Sequence, residues 1–125
     1  MTQKDKQLLL RDLCARLPYG VKYCRDSWNY ELDQEMSVVE VLEDIDKEGY
    51  INYHKVYKVY DIKPYLRPMS SMTEEEKGEY YNSYDWEYFE EGTSFDWLNE
   101  NHFDYRGLIK KGLALEAPDN MYKEG

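Results

Sequence analysis

Leucines near the start of the chain recur three or four positions apart, at Leu9, Leu10, Leu13 and Leu17. Thr2 precedes them and belongs to the residue types that cap a helix by accepting a hydrogen bond from a free backbone N–H group. The pattern therefore predicts a helix over residues 2–16. Proline and glycine within residues 17–20 are expected to end it.

Two later segments have the alternation and the β-branched residues that are typical of strands. Residues 21–24 alternate, and residues 36–45 are rich in valine and isoleucine. The intervening residues 25–34 are polar and include Trp28, so they are predicted to form a turn or a wide hairpin connection.

The tyrosine-rich middle of the chain predicts a further strand. Residues 46–49 favour a tight turn, and residues 50–62 then alternate with large side chains on both faces. We expect one face on the core and a partly covered tyrosine face, in an antiparallel meander of three or more strands. Pro64 and Pro68 are expected to break the sheet, because proline is excluded from central strands.

The C-terminal half begins with a strong helix signal. Thr73 and Glu76 have the spacing of a capping box, in which each side chain accepts from the other residue's backbone N–H group. Glutamates in the first turn also suit the positive end of the helix dipole. A helix is therefore predicted from residue 73 to about Tyr84.

Two more short helices complete the predicted fold. One begins at Thr93 or Ser94 and continues through Leu98, and another covers residues 104–111 and ends at Gly112. Strands followed by helices, without βαβ alternation, predict an α+β fold. It would combine a small antiparallel sheet with an N-terminal helix and two or three short C-terminal helices.

Length and composition favour one folded domain. The chain has 125 residues, which suits a single domain over residues 1–125 with the last few residues frayed. Leu, Ile, Val and Phe supply only 25 residues, whereas 16% of the chain is aromatic and 14 residues are tyrosines. Tyrosine, tryptophan and methionine are therefore expected to complete the core.

Targeting signals are not recognised in the sequence. The first residues are charged, and no stretch approaches the ~20 apolar residues of a membrane span. We expect a soluble, cytoplasmic protein without a membrane partner. Cys14 and Cys24 are then expected to be reduced, although their spacing also permits a disulfide.

Two segments stand out, KPYLRPMSSMT at 63–73 and FDYRGLI at 103–109, the second extended by GLALEAP at 112–118. They resemble the two recurring blocks of a family of small proteins from gut anaerobes and their phages, and LPYGV at 17–21 is similar to that family too. The resemblance covers the N-terminal helix and the C-terminal half, but not residues 28–60. It implies no activity and no site residues. It favours a phage or mobile-element context, in which interference with a host protein is a more natural role than housekeeping catalysis.

The sequence contains no recognisable metal-binding or phosphate-binding motif. The candidate metal ligands are His54, His102, Cys14 and Cys24. No two of them have a sequence spacing that would place both side chains on one face to bind a metal ion. Gly107 and Gly112 outline a phosphate loop, but the lysine and the hydroxyl residue that must follow are missing. Ser70 and Ser71 precede a helix, where capping accounts for them. No metal or cofactor is therefore expected.

The best enzyme candidate is Asp61-x-Lys63, with Asp44 and Asp46 upstream. In a metal-dependent nuclease, such carboxylates hold Mg²⁺ and the lysine orients water. An Asp-x-Lys pattern is expected by chance in a chain that is 34% charged. The chain is therefore predicted not to be an enzyme, with a nuclease as the remaining catalytic alternative.

The negative charge is concentrated in one segment. The chain has 26 acidic and 16 basic residues, a formal net charge of −10. Residues 74–104 contain eleven acidic residues, one lysine and nine aromatics, so they carry the whole surplus. Direct binding of nucleic acid is disfavoured, because its phosphates would be repelled.

Two interpretations of this segment remain open. In one, the carboxylates suit helix starts and a solvated face, and the aromatics belong to the core. In the other, carboxylates and aromatics form a surface that steers the protein toward a basic partner. The candidate surface residues are Glu79, Tyr84, Asp85, Trp86, Glu87, Tyr88, Glu90, Glu91, Asp96 and Glu100.

The resulting hypothesis is a non-enzymatic acidic binding protein. It would act as a DNA-mimic-like inhibitor or regulator of a basic, nucleic-acid-binding host protein, because carboxylates can occupy a groove built for phosphates. The alternative is a homo-oligomeric adaptor, a homodimer for example, that associates through the edge of the strand predicted near residues 50–60.

Overall fold

The chain folds into an α+β arrangement with a mixed sheet. The structure is a computed structural model and describes residues 1–52, 57–82 and 92–122. In chain order the elements are α1 (Gln3–Arg16), β1 (Lys22–Asn29), β2 (Gln34–Val41), β3 (Lys63–Pro68), α2 (Glu74–Asn82), α3 (Gly92–Glu100), β4 (Phe103–Asp104) and β5 (Leu115–Glu116). The predicted α+β class is confirmed.

Local signals at the ends of α1 act as predicted. The Asp5 N–H group donates to Thr2 Oγ1 at 3.0 Å, and the Thr2 N–H group donates to the Asp5 carboxylate, so the helix begins with a capping box. A short 3₁₀ turn at Leu17–Tyr19 follows the helix. Gly20 then adopts a φ of 66°, which costs glycine little because it lacks a Cβ atom.

The first two strands form a longer hairpin than the sequence predicts. β1 and β2 pair antiparallel from Lys22↔Val41 to Asn29↔Gln34. The connection predicted at residues 25–34 is therefore wrong, since β1 continues to Asn29 and only residues 30–33 turn. Two backbone N–H groups of the turn donate to Asn29 Oδ1 at 3.0 Å. The strand carries polar side chains that are exposed at Asp26 and half-buried at Arg25, Ser27 and Asn29, so its polarity did not exclude a strand.

Contrary to prediction, the proline-containing segment lies in the middle of the sheet. The strand order is β2-β1-β3-β4, with β5 also paired to β3. β3 is antiparallel to β1 but parallel to β4 and β5, so the sheet is mixed and not an antiparallel meander.

The prolines fit β3 because its neighbours are staggered along it. Each neighbour pairs with two residues of β3: β1 with the first two, β5 with the middle two and β4 with the last two. Pro64 and Pro68 lie near the two ends. The Arg67 N–H group between them donates to the His102 carbonyl at 2.8 Å. No long ladder therefore depends on the N–H groups that proline lacks.

The strand predicted over residues 50–62 is also wrong in the part that the structure describes. Tyr50 and Ile51 form isolated bridges, and Val59–Asp61 is a 3₁₀ turn; residues 53–56 lie outside the described residues. The Asn52 side chain accepts from the Glu43 N–H group at 2.6 Å and donates to the Val41 carbonyl at 2.7 Å. These side-chain bonds take the place of a ladder of backbone hydrogen bonds between strands. β2 accordingly ends at Val41, although a strand was predicted to residue 45. The tight turn predicted at residues 46–49 is present.

A single turn replaces the helix predicted over residues 104–111. Asp104 ends β4, and its carboxylate accepts from the N–H groups of Leu108 and Ile109 at 2.8 and 3.0 Å. Gly107 has a φ of 75°, which is incompatible with a continuous helix. Gly112 closes the turn with a φ of 75° and a 3.0 Å bond from its N–H group to the Ile109 carbonyl, so it ends a turn and not the helix whose C-cap it was predicted to be.

The other predicted helices are present in their described parts. Thr73 and Glu76 exchange two hydrogen bonds of 3.1 Å, which forms the predicted capping box of α2. This helix is described as far as Asn82, and α3 begins at Gly92, just before the start predicted for it.

The core joins α1 to the sheet. Leu9 and Leu13 of α1 share one buried cluster with Tyr23 of β1 and Leu66 of β3. Tyr23 is fully buried, and its hydroxyl donates to Glu40. The expectation that tyrosine would complete an aliphatic-poor core is therefore confirmed at this position.

Asp12 and Arg16 form an ion pair inside the protein. Both side chains are 0% exposed, and Arg16 Nε donates to Asp12 at 2.9 Å. Arg106 donates to the other Asp12 oxygen at 2.7 Å, and Arg16 Nη2 donates to the Phe103 carbonyl. This network connects α1 to β4 and to the turn that follows it.

We expect Asp12→Ala to lower the free energy of unfolding by about 3–5 kcal/mol, because it leaves the Arg16 charge buried without its partner. Urea denaturation at neutral pH measures the effect. Arg11→Ala changes an exposed side chain of the same helix and should stay within about 0.5 kcal/mol of the parent protein. A loss of less than about 1 kcal/mol for Asp12→Ala would contradict the proposed importance of the pair.

Candidate functional site

Aromatic contacts fix the two described helices of the acidic segment to the sheet. The rings of Tyr80 on α2 and Trp97 on α3 lie 5.5 Å apart. Trp97 in turn stacks on Phe103 of β4, with ring centroids 5.7 Å apart and an interplanar angle of 13°. Phe103 is fully buried. Among the aromatics that the structure describes in this segment, Phe103 thus lies in the core, as one of the two interpretations expected.

Two of the eleven carboxylates in residues 74–104 stabilise the fold. Glu76 accepts two 2.7 Å hydrogen bonds from the Arg67 guanidinium, and this ion pair holds the pKa of its carboxyl below the usual value. Asp104 is buried and caps the turn after β4. These residues are used within the molecule and are not available to a partner.

Five other carboxylates of the segment are exposed on α2 and α3. They belong to Glu74, Glu75, Glu79, Asp96 and Glu100. Glu74 pairs with Lys77 at 3.1 Å. The others form two i, i+4 pairs, Glu75 with Glu79 and Asp96 with Glu100. Residues at that spacing lie on one face of a helix with Cβ atoms about 5–6 Å apart.

The predicted binding residues are only partly within the described structure. Glu79 lies on α2, Asp96 and Glu100 lie on α3, and all three are exposed. The two helices contact one another. The remaining predicted residues lie outside the described residues: Tyr84, Asp85, Trp86, Glu87, Tyr88, Glu90 and Glu91.

Phe95 is a surface residue of the same helix that the candidate list omitted. Its side chain is 45% exposed, and its ring lies 5.1 Å from that of Tyr105. It was assigned to the predicted helix but not to the surface, because sequence spacing does not show which aromatic side chains remain exposed.

A separate cleft of about 290 Å³ contains the candidate nuclease residues. Its polar lining includes Asp61 and Lys63 together with Asp26 of β1. Sequence analysis missed Asp26 because it lay in the predicted connection. Asp46 is used elsewhere, where it accepts from the N–H groups of Glu48 and Tyr50. Within the described ranges, no three His, Cys, Asp or Glu side chains are placed to hold a metal ion.

The four candidate metal ligands do not form a site among the residues described. Cys14 and Cys24 are both free thiols, and burial raises the pKa of Cys14. His54 lies outside the described residues. His102 is buried, and its ring stacks on Tyr122 with centroids 3.9 Å apart.

The buried His102 side chain is held in its neutral form. Burial lowers its pKa to about 4, with further lowering by Arg16, Arg67 and Lys22. Its Nδ1 atom has no hydrogen-bond partner among the described residues. This histidine therefore belongs to a cationic part of the interior and not to an acid–base pair.

Three of the segments that carry the sequence resemblance are neighbours in the sheet. β3, from the block at 63–73, pairs with β4 at Arg67↔Phe103 and with β5 at Tyr65↔Leu115. β4 and β5 lie in the blocks at 103–109 and 112–118. The parallel pairing of distant segments explains why hydrophobic spacing alone did not reveal these short strands.

Comparison with protein-family models, with curated proteins and with solved structures found no match to the chain. Across residues 1–52, 57–82 and 92–122, no helix has the length and apolar character needed to cross a bilayer.

The neutral state of His102 predicts a pH dependence of stability. Its folded pKa of about 4 lies below the ordinary value of 6.5, so the unfolded chain binds more protons between these two values. The contribution is complete above pH 6.5 and is lost as the pH falls toward 4, with about 2 kcal/mol lost by pH 5. His102→Asn, which tolerates the residue's φ of 62°, should reduce the decrease in unfolding free energy between pH 7 and pH 5.

Denaturant unfolding at both pH values measures this difference, and the acidic residues common to both proteins cancel in the comparison. NMR titration of the imidazole signals provides a direct check, with His54→Asn to assign them. An equal pH dependence in parent and variant, or a His102 signal that titrates near pH 6.5, would contradict the prediction.

Proposed function

We propose that this chain is an acidic binding protein that acts without chemistry of its own. Its helices α2 and α3 contact a basic, nucleic-acid-binding protein and compete with DNA or RNA for it. The main supporting observation is the presence of exposed i, i+4 carboxylate pairs on both helices, Glu75/Glu79 and Asp96/Glu100.

Stabilisation of the helices explains only part of these pairs, because Glu75 alone among the four residues lies in a favourable first turn. Like charges at i, i+4 destabilise a helix by about 0.2–0.5 kcal/mol per pair. Asp96 and Glu100 also lie away from the positive N-terminal end, where a carboxylate at the first residues would be favourable. Cationic side chains of a partner would relieve this repulsion, which favours a binding role for the face.

The distribution of charge supports a directed encounter. Residues 1–73 and 105–125 together are neutral, so the surplus of −10 belongs to the segment that contains α2 and α3. The electrostatic field of such a concentrated charge accelerates association with a basic partner and orients the partner as it approaches. The exposed ring of Phe95 adds apolar area beside Asp96, and interfaces commonly combine an aromatic contact with a polar rim.

A protein that binds nucleic acid is the partner that this surface suits best. Its groove carries cations arranged to neutralise successive phosphates. Carboxylates on residues whose Cβ atoms lie about 5–6 Å apart on each of two helices offer a comparable series of negative charges. The resemblance to small proteins of gut anaerobes and their phages makes a host protein the natural target.

We expect charge reversal on the two helices to abolish partner binding. The variant Glu79→Lys/Asp96→Lys/Glu100→Lys should bind at least ~10-fold more weakly than the parent protein, because attraction is replaced by repulsion. The immobilised parent protein is used to capture proteins from a bacterial lysate, and each captured protein is then purified. Binding should weaken from about 50 to 300 mM salt, and labelled duplex DNA should compete with the chain for the captured protein.

The matched control is Glu31→Lys/Glu43→Lys/Glu48→Lys, which makes the same change in net charge at exposed sites outside the acidic segment. It should retain binding. Equal capture by the helix variant, or captured proteins that duplex DNA does not displace, would exclude the proposed function.

A further inference from the structure

We infer that the outer edge of β2 is a self-association site, at which two copies of the chain pair their β2 strands antiparallel about Ser37. This inference concerns a surface separate from α2 and α3, so it does not depend on the proposed function. It also places self-association on a strand other than the one predicted near residues 50–60.

The alternation of hydrogen bonds shows which groups of β2 point outward. The Leu42 N–H group donates to the Val21 carbonyl at 2.8 Å, so even-numbered residues of this strand bond toward β1. The N–H and C=O groups of Glu35, Ser37, Val39 and Val41 therefore face away from β1. The Val41 carbonyl is occupied by the Asn52 side chain at 2.7 Å. Three residues, Glu35, Ser37 and Val39, remain with outward groups unbonded in the part of the chain that the structure describes.

This set of three residues is symmetric about Ser37. In a two-fold antiparallel pairing centred there, Glu35 of each copy lies opposite Val39 of the other, and Ser37 lies opposite Ser37. All three outward residues then form hydrogen-bonded pairs, with six hydrogen bonds in total. A pairing centred on Val38 would instead require the Val41 carbonyl, which Asn52 already occupies. The free backbone groups thus fit the same edge of a second copy of the chain in one two-fold register.

Side chains across the proposed interface are compatible in that register. No carboxylate of β2 lies opposite another: Glu35 faces Val39, and Glu40 faces Gln34. Glu40 is moreover paired with Arg25 at 2.6 Å, which reduces its repulsion of a second copy. Met36 faces Val38 on the same side of the sheet as the Glu40 and Gln34 pair, and each Met36–Val38 pair buries apolar surface.

The exposed apolar side chains of β2 support its association. Met36, Val39 and Val41 are 38%, 48% and 41% exposed. β2 contains neither lysine nor proline, the residues with which edge strands commonly prevent pairing. Beyond Cys24 the hairpin has no third strand among the described residues, and added strands would stabilise it because a two-stranded ribbon is marginally stable by itself.

Two substitutions at Ser37 test the backbone pairing by sedimentation velocity. Ser37→Pro removes an outward N–H group without removing a β1–β2 hydrogen bond, and should lower the association constant about tenfold or more because both central bonds of the dimer are lost. Ser37→Thr, which keeps the N–H group, should retain the dimer. An unchanged dimer in Ser37→Pro would overturn the inference.

The response to salt distinguishes self-association at β2 from partner binding at α2 and α3. Each copy carries a charge of −10, so raising NaCl from about 0.1 to 1 M screens their repulsion and should strengthen the dimer. Binding of a basic partner by α2 and α3 should weaken over the same range. A chain that is monomeric at high micromolar concentration throughout this range would overturn the inference.

Crosslinking tests the register without requiring a proline to be tolerated. In a Cys14→Ser/Cys24→Ala background, Ser37→Cys places two thiols across a hydrogen-bonded pair, with Cα atoms about 5.5 Å apart and within disulfide range. Glu35→Cys is the matched control, because its two copies would lie about 14 Å apart. Rapid oxidative dimer formation by Ser37→Cys alone supports the register, and equal crosslinking of both variants contradicts it.

Discussion

The ion pairs of the buried Asp12 carboxylate with Arg16 and Arg106 are the interactions on which the attachment of β4, α2 and α3 depends. Asp12 lies on α1, while Arg106 follows β4, and Arg16 also donates to the Phe103 carbonyl. Desolvating these charges is costly, and the cost is offset only while all partners stay in place. The helix and the β4 region are therefore fixed to each other by a network that tolerates little displacement.

The position of the acidic helices follows from that connection. Because Phe103 is fixed, its ring provides the platform on which Trp97 stacks, and Trp97 in turn contacts Tyr80 of α2. Arg67 contributes a second attachment, since its guanidinium lies 4.2 Å from the Phe103 ring centroid while it binds Glu76. Arginines of the body thus hold helices whose other carboxylates face solvent. Burial keeps His102 neutral by lowering its pKa, and the charges of Arg16 and Arg67 lower that pKa further.

Features of the structure could be predicted from the sequence when they depend on residues close together in the chain. Features that depend on residues far apart in the chain could not. The caps at Thr2 and Thr73 depend on neighbouring residues, and they were predicted correctly. β3 was not, because the proline rule presumes long ladders and its neighbours pair with only two residues each. Glu79, Asp96 and Glu100 are exposed, which both interpretations of the acidic segment allow. The role of Glu76 required a partner nine positions away, at Arg67, which helix spacing does not reveal.

Charge and unpaired backbone groups are placed on different parts of the molecule. The carboxylates of α2 and α3 repel a second copy at low salt, whereas the open edge of β2 offers it hydrogen bonds that do not depend on charge. If both surfaces act as proposed, ionic strength shifts the balance between them, since screening weakens the contact with a basic partner and strengthens self-pairing. The surplus of negative charge would then have two effects: it attracts a basic partner to the helices, and it protects an otherwise adhesive edge strand from premature association.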